Sequence, residues 1–191
     1  INEMVAEERR TQCFFPRCLV PHSDEVSSTD VASYVNPKRN TWYFETATFS
    51  TEEAKYNVFS GSNTAAVTES MTVTIVLMQL AVKLGYKRLY LIGCDTAYKI
   101  PPNARNLDVD TERVDKRLVL DADNDPNHFD PRYFGKDRVW HTPNTQLMTM
   151  HYELVNDFCK NIGIEIYNAG IGGALEVFPR VDYRSIMLNW S

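Results

Sequence analysis

The histidine at position 141 stands directly before a long helical pattern, in the run Val139-Trp-His-Thr-Pro143. Thr142 and Pro143 fit the N-cap and first position of that helix, which would place the imidazole of His141 at the positive end of the helix dipole. Positive potential disfavours an imidazolium, and a histidine that is neutral near pH 7 can accept a proton from a hydroxyl group. We therefore predict that His141 is a general base; the alternative is a histidine in a surface loop.

Two further side chains could take part in chemistry. Asp95 directly follows a buried strand, where a carboxylate can orient a ligand hydroxyl, hold a metal or tie down loop amides. His128, in Asn127-His-Phe-Asp130, is a second histidine in a polar loop and a candidate for substrate binding. His151 falls in the middle of a helix beside its apolar stripe, so we predict a structural role for it.

The acidic runs resemble metal-binding loops only in part. Asp108-Val-Asp110 and Asp121-Ala-Asp-Asn-Asp125 have the Asp-x-Asp spacing. The second run departs from a calcium-binding EF-hand, because Pro126 takes the position of its glycine and Arg132 that of its last ligand, a glutamate. We expect no metal site.

A glycine-rich segment, Gly170-Ile-Gly-Gly173, follows a predicted strand that ends near Asn168. Glycine lets backbone amides approach a phosphate or a base closely, so Asn168, Gly172 and Gly173 are candidate substrate-binding residues. The spacing is not GxGxxG and no Walker lysine is present, which leaves a plain turn as the alternative.

Two helix–glycine–strand units must position these residues. The first has a helix over 70–84, Gly85 and a strand over 89–92; the second has a helix over 143–162, Gly163 and a strand over 164–167. The repeat predicts one α/β domain over 1–191 with a Rossmann-like, doubly wound and mainly parallel sheet. Ligands of such sheets bind beyond the carboxyl ends of the strands, here at 93–95 and 168–170.

The remaining segments are less regular. Short strands are predicted at 13–15 and over 42–49 from their aromatic and β-branched residues, and a loop at 60–64. Residues 99–140 are rich in Asp, Asn, Pro and Arg and show almost no periodicity. A stretch of this kind between a strand end and the next helix predicts a lid or active-site insertion.

Composition excludes several classes of protein. The 191 residues carry a net charge of −5, whereas nucleic-acid binders usually have a basic face. The longest apolar stretch, 71–84, is interrupted by polar residues and is too short to span a membrane, and no signal peptide is apparent. The four cysteines form no CxxC pair, so a zinc ribbon is not expected. We read them as reduced thiols of a cytoplasmic protein.

Several segments together resemble a known family. The run Leu84-Gly-Tyr-Lys-Arg-Leu-Tyr-Leu-Ile-Gly-Cys-Asp95 resembles the core of the bacterial lipooligosaccharide sialyltransferases. His141, the helix after it and Ile164-Glu-Ile-Tyr-Asn168 match that family in order. Segments 127–135 and 168–179 look closer to a related group. It contains the central domain of motif-associated flagellin glycosyltransferases and the archaeal hydroxymethylpterin pyrophosphokinases. The resemblance covers roughly residues 60 to 180.

The resemblance implies roles for particular residues. His141 matches the general base of the family. Tyr98 corresponds to a tyrosine that steadies the donor phosphate, although this chain has one residue more between Asp95 and Tyr98, which makes Tyr133 a substitute. The residues expected near the nucleotide lie at the start of the first helix: Ser70, Thr72 and Thr74. The family also begins with a strand and a Gly-Pro-Ser turn that have no counterpart near Ile1, so we expect the first strand and part of the donor site to be missing.

The same resemblance implies a metal-independent glycosyltransferase. It would transfer a sialic-acid-like sugar from a CMP-sugar donor to a hydroxyl of a glycan or protein, without a cofactor. One alternative is pyrophosphate transfer from ATP to a pterin, which needs magnesium and would make Asp95 and the acidic loop metal candidates. Another is a non-catalytic domain of the same fold. The sequence is compatible with a monomer or an oligomer.

Overall fold

The computed structural model describes residues 12–19, 29–30, 40–47, 66–109 and 115–188. The chain divides into two compact units. The first comprises Ile1–Leu89 and Asp157–Ile164, and the second Tyr90–Asn156 and Glu165–Ser191. The predicted loop at 60–64 lies outside the described residues.

The strands of the first unit form short pairs. Strand β1 (Cys13–Pro16) runs parallel to β4 (Thr41–Phe44), and β5 (Thr46–Ala47) runs parallel to β6 (Val67–Thr68). Strand β2 (Cys18–Leu19) is antiparallel to β3 (Thr29–Asp30). The strand predicted at 13–15 is therefore found, and the one predicted over 42–49 is found as far as Ala47 with an interruption at Glu45; residues 48 and 49 lie outside the described part of the chain.

Helix α1 (Val73–Lys83) is the first predicted helix, and it begins three residues later than expected. The hydroxyl of Thr72 caps it by accepting a hydrogen bond from the N–H of Thr74 at 3.3 Å. Gly85 has a φ of +90°, and the N–H of Tyr86 bonds back to the carbonyl of Ala81 at 3.1 Å. This hydrogen bond and the left-handed glycine form a Schellman motif, the helix ending that Gly85 predicts.

A buried amide joins α1 to β6. The side chain of Gln79 is fully buried; its Nε2 donates to the carbonyl of Thr68 at 2.8 Å, and its Oε1 accepts from the N–H of Thr68 at 2.9 Å. The buried apolar residues around these two elements include Val67, Ile75 and Met78. These two hydrogen bonds fix both the rotation of α1 about its own axis and its position along β6.

Helix α2 (Thr145–Asn161) is the second predicted helix, but its start was predicted wrongly. Asn144 caps it, because its Oδ1 accepts from the N–H of Leu147 at 3.0 Å. Thr142, the predicted cap, instead exchanges hydrogen bonds with Lys116: its N–H donates at 2.8 Å and its hydroxyl accepts at 2.9 Å. Gly163 has a φ of +70° and ends the helix as expected.

The two strands of the helix–glycine–strand units pair with each other. They are β7 (Arg88–Leu91) and β11 (Glu165–Asn168), each shifted by one residue from the prediction. The N–H of Ala169 donates to the carbonyl of Leu91 at 2.8 Å, and the rings of Tyr90 and Tyr167 stack 5.4 Å apart. The carboxyl ends of the two strands therefore lie together, as in strands that run in the same direction.

Residues 99–140 contain more regular structure than the sequence predicts. Strands β8 (Arg105–Asn106), β9 (Arg117–Val119) and β10 (Val139–His141) form an antiparallel sheet in the order β10-β9-β8. The guanidinium of Arg117, in β9, is 2.7 Å from the buried carboxylate of Asp108. Strands of two or three residues are too short to show a hydrophobic period, so no pattern could reveal them.

The described elements thus combine helices with small sheets, some of them parallel, in a broadly α/β arrangement. A short helix α3 (Tyr183–Leu188) follows β11. Within the described ranges, no helix is both long enough and apolar enough to cross a membrane.

Candidate functional site

The loops that follow β7 and β11 pack directly on each other in the second unit. The N–H of Ala174 donates to the carbonyl of Asp95 at 2.7 Å. A Cβ on Gly173 would lie 2.8 Å from the Cα of Asp95, closer than two carbon atoms without a bond between them approach, and the φ of Gly173 is +79°. The glycine is therefore required both for its conformation and for this contact. Asp95 and Gly173 therefore meet beyond the strand ends, and Gly172 is the preceding residue of the same loop.

Arg180, which the sequence did not single out, holds the glycine loop from one side. Its guanidinium donates to the carbonyls of Gly172 at 2.8 Å and Gly173 at 3.2 Å, and it pairs with the carboxylate of Glu176. In a trans peptide the C=O and the following N–H point in opposite directions. The N–H of Gly173 therefore points away from Arg180, and no described group accepts a hydrogen bond from it.

Asn168 organises the same loop from inside. It is buried; its Nδ2 donates to the carbonyl of Leu175 at 2.8 Å, and its Oδ1 accepts from the N–H of Gly170 at 2.9 Å. Both ends of the amide are thus engaged within the chain. This geometry makes Asn168 a residue that positions the loop.

Tyr98 lies in the segment after Asp95. Burial raises the pKa of Tyr98, and electrostatic interactions with Asp95 and Cys94 raise it further. Its hydroxyl therefore stays protonated and can donate a hydrogen bond. Thr96, between Asp95 and Tyr98, has a φ of +52°, a left-handed conformation that is uncommon for threonine and costs energy.

An open groove of about 410 Å³ lies beside these loops. Thr96 and Ala174 border it from the two strand-end loops, and the first turns of α2 supply the rest of its lining: Thr145, Gln146, Thr149, Met150 and Glu153. Its volume is within the usual range for small-molecule sites. The lining offers hydroxyl, amide and carboxylate groups, while most of its exposed surface is apolar.

His128 is paired with a carboxylate that the sequence had suggested only as a partial metal motif. The Oδ2 of Asp125 lies 2.7 Å from the Nδ1 of His128. Burial alone would raise the pKa of Asp125, but hydrogen bonds from the N–H of Asn127, the ring of His128 and the N–H of Phe134 outweigh it and leave that pKa below its ordinary value. Asp125 is therefore ionised at neutral pH and accepts from the histidine ring.

Aromatic rings surround the same histidine. Tyr133 stacks on His128 with 4.0 Å between ring centroids, and Phe134 meets it edge-on at 5.1 Å. Phe134 in turn stacks on the buried ring of Trp140. The structure thus brings the predicted residues His128 and Tyr133 together, with the ring of Tyr133 about half exposed.

The loop that contains His128 is hydrogen-bonded to the segment that contains Tyr98. The side-chain Oδ1 of Asn127 accepts from the N–H of Lys99 at 2.7 Å, and its Nδ2 donates to the carbonyl of Lys99 at 2.8 Å. Asn127 and Lys99 are the chain neighbours of His128 and Tyr98 respectively. The paired bonds therefore hold these two candidate residues in adjoining segments.

His141 has a different setting from the one predicted. It is the last residue of β10 and is exposed, opposite Arg117 in the antiparallel ladder. Because α2 begins at Thr145 with Asn144 as its cap, the ring of His141 is not part of the first helical turn, where the dipole acts. No described group makes a hydrogen bond to its ring.

The three residues expected near a nucleotide, Ser70, Thr72 and Thr74, all lie in the first unit at the start of α1. The oxygen of Thr72 serves as the helix cap. His151 is buried within α2, and burial lowers its pKa, in keeping with a structural role.

Two aspartates of the acidic motifs form hydrogen-bonded pairs with side chains of this chain. Asp108 pairs with Arg117 and Asp125 with His128, while Asp110 lies outside the described residues. Within the described part of the chain, no three His, Cys, Asp or Glu side chains converge as metal ligands would. The residues that sequence reasoning missed here are Asp125, Asn127 and Arg180; the Asp-x-x-His spacing was the available signal for the first.

Comparisons with models of known families, with curated proteins and with solved structures give no match to this chain.

Proposed function

We propose that this chain is a glycosyltransferase that transfers a sialic-acid-like sugar from a CMP-sugar to a hydroxyl of a glycan or protein. The observation that carries the proposal is the contact between the two strand-end loops, Asp95 against Gly173 and Ala174, beside an open groove. Ligands of doubly wound sheets bind at this place. The order of motifs that resemble the bacterial sialyltransferases supports the choice of chemistry.

Within the proposed reaction, hydrogen-bond donors receive the charge of the departing phosphate. The protonated hydroxyl of Tyr98 and the N–H of Gly173 are two such donors, and Tyr133 is a third candidate. Preorganised donors of this kind stabilise charge that develops in a transition state. The proposed reaction therefore proceeds without a metal ion. A histidine accepts the proton of the acceptor hydroxyl, and the resemblance gives this role to His141.

A ligand screen tests the proposal. Thermal unfolding is followed in the presence of CMP, CMP-N-acetylneuraminic acid, and ATP with and without magnesium. We expect the two cytidine nucleotides to raise the melting temperature and ATP to leave it unchanged, because a ligand stabilises only the state that binds it. A shift that needs both ATP and magnesium would favour the pterin pyrophosphokinase reaction. The absence of any shift would favour a non-catalytic domain.

A further inference from the structure

The contact between Asp125 and His128 determines which ring nitrogen of His128 carries a proton. An ionised carboxylate can only accept hydrogen bonds, so the 2.7 Å contact requires a proton on the Nδ1 of His128. In the neutral ring the lone pair then lies on Nε2. A carboxylate that holds one nitrogen of an imidazole in this way selects the tautomer and orients the ring for proton transfer at the other nitrogen.

The ring of His128 is also held in place and open to a reactant. Tyr133 covers one face and Phe134 meets it edge-on, which limits rotation of the ring. The histidine side chain is nevertheless 29% exposed, and no described group makes a hydrogen bond to its Nε2. A proton acceptor needs both properties, a fixed orientation and an accessible lone pair.

The location of His128 connects it with the proposed site. Asn127 makes paired hydrogen bonds to the backbone of Lys99, and this places His128 in the segment next to that of Tyr98. His141, by contrast, is exposed at the end of β10 with no described group that orients its ring. A base without an orienting partner loses much of the advantage of a positioned one.

We infer that His128, and not His141, is the proton acceptor of the reaction, with Asp125 as its positioning residue. This inference rests on the proposed glycosyl transfer. The Nε2 of His128 takes the proton of the acceptor hydroxyl while that oxygen bonds to the anomeric carbon of the donor sugar. The bond from this carbon to the phosphate oxygen breaks, and its electron pair leaves with CMP. The Asp125 carboxylate stabilises the imidazolium that forms.

The experiment compares the intact protein with the variants His128→Gln, His141→Gln and Asp125→Asn. Release of CMP from CMP-N-acetylneuraminic acid is measured with lactose or water as acceptor, and CMP affinity is measured by calorimetry. We expect His128→Gln to lower kcat roughly 10²–10⁴-fold with unchanged CMP affinity, which also shows that the variant is folded. His141→Gln tests the residue to which the resemblance gives this role; we expect it to retain far more of the wild-type kcat than His128→Gln, because no described group orients the ring of His141. Phe129→Ala, an exposed neighbour in the same loop, is the matched control and should behave as the wild type.

Asp125→Asn separates positioning from a merely structural role. Nitrogen NMR of the wild type should show His128 protonated at Nδ1, and the asparagine variant should lose this preference and lower kcat while KM is retained. A normal kcat in His128→Gln together with a large loss in His141→Gln would overturn the inference and leave the proposed function standing. A wild type that binds CMP but releases none from the donor would also overturn the inference. A wild type that neither binds CMP nor turns over the donor would overturn both.

Discussion

At the scale of single residues, Asp125 illustrates how a buried carboxylate depends on its partners. Its side chain is 1% exposed and accepts hydrogen bonds from two backbone amides and from His128. An ionised group in such a place is stable only because these donors replace water. The same bonds that make His128 a candidate base therefore also stabilise the loop around it.

The lowered pKa of Asp125 predicts a pH-dependent contribution to stability. Because its folded-state pKa lies below the unfolded one, the stabilisation is fully present above about pH 4 and is lost as the pH falls through the folded value. We expect Asp125→Asn to lower the free energy of unfolding by about 2 kcal/mol at pH 7, and the difference from the wild type to shrink below about pH 4. Urea unfolding at several pH values measures both quantities.

Asp137→Asn provides the control for this experiment, since it removes the same charge from an exposed carboxylate that has no described ion-pair partner. Its free energy of unfolding should stay near that of the wild type throughout. A pH-independent loss in Asp125→Asn would show that the carboxylate acts through packing alone.

At the scale of elements, the strand-end loops depend on one glycine more than on its neighbour. Gly172 and Gly173 both have positive φ, so alanine at either position costs about 1–2 kcal/mol of backbone strain. Only at position 173 would the new Cβ also collide with the backbone of Asp95; at position 172 no atom lies within 4 Å. We expect Gly173→Ala to be clearly the less stable variant and to weaken CMP binding. Equal urea midpoints and equal CMP affinities for the two variants would contradict the packing of the loops described above.

The contact between α1 and β6 gives a second prediction at this scale. Gln79→Leu fills a similar volume but leaves the N–H and C=O of Thr68 without the side-chain partners they now have. Each buried polar group that loses its partner costs about 1–3 kcal/mol. We expect a loss of this order in urea unfolding and faster hydrogen exchange of the Thr68 amide. Leu77→Ala, at an exposed position of the same helix, should change neither quantity much. Unchanged exchange at Thr68 would rule out the anchoring role of Gln79.

At the scale of the whole molecule, the proposed reaction predicts independence of divalent metal. The donors assigned to the leaving phosphate are a phenol and a backbone amide, which carry out this role without an ion. We expect dialysis against EDTA to leave the melting temperature, the CMP-induced shift and the release of CMP unchanged. Restoration of a lost activity by magnesium would instead favour phosphoryl-transfer chemistry, in which the metal bridges phosphate oxygens.

The sequence by itself determined the C-terminal ends of α1 and α2 and the strands that follow them. Gly85 and Gly163 end α1 and α2 because a left-handed residue is needed within a few positions of the last helical turn, and this requirement is local. The runs that follow them identified β7 and β11 to within one residue, since both are rich in the aromatic and β-branched or other large apolar residues that favour strands.

Only the tertiary structure decided which side chains meet. The cap of α2 is Asn144 and not Thr142, because Thr142 bonds to Lys116, the residue before β9 and a partner 26 positions away. The attachment of Asn127 to Lys99 likewise joins residues 28 positions apart. Such contacts depend on how the chain returns on itself, which leaves no local periodicity. The sequence proposed two histidines and contained the Asp-x-x-His spacing that pairs one of them with Asp125. Only the folded loop showed that this carboxylate is buried and bonded to the N–H groups of Asn127 and Phe134.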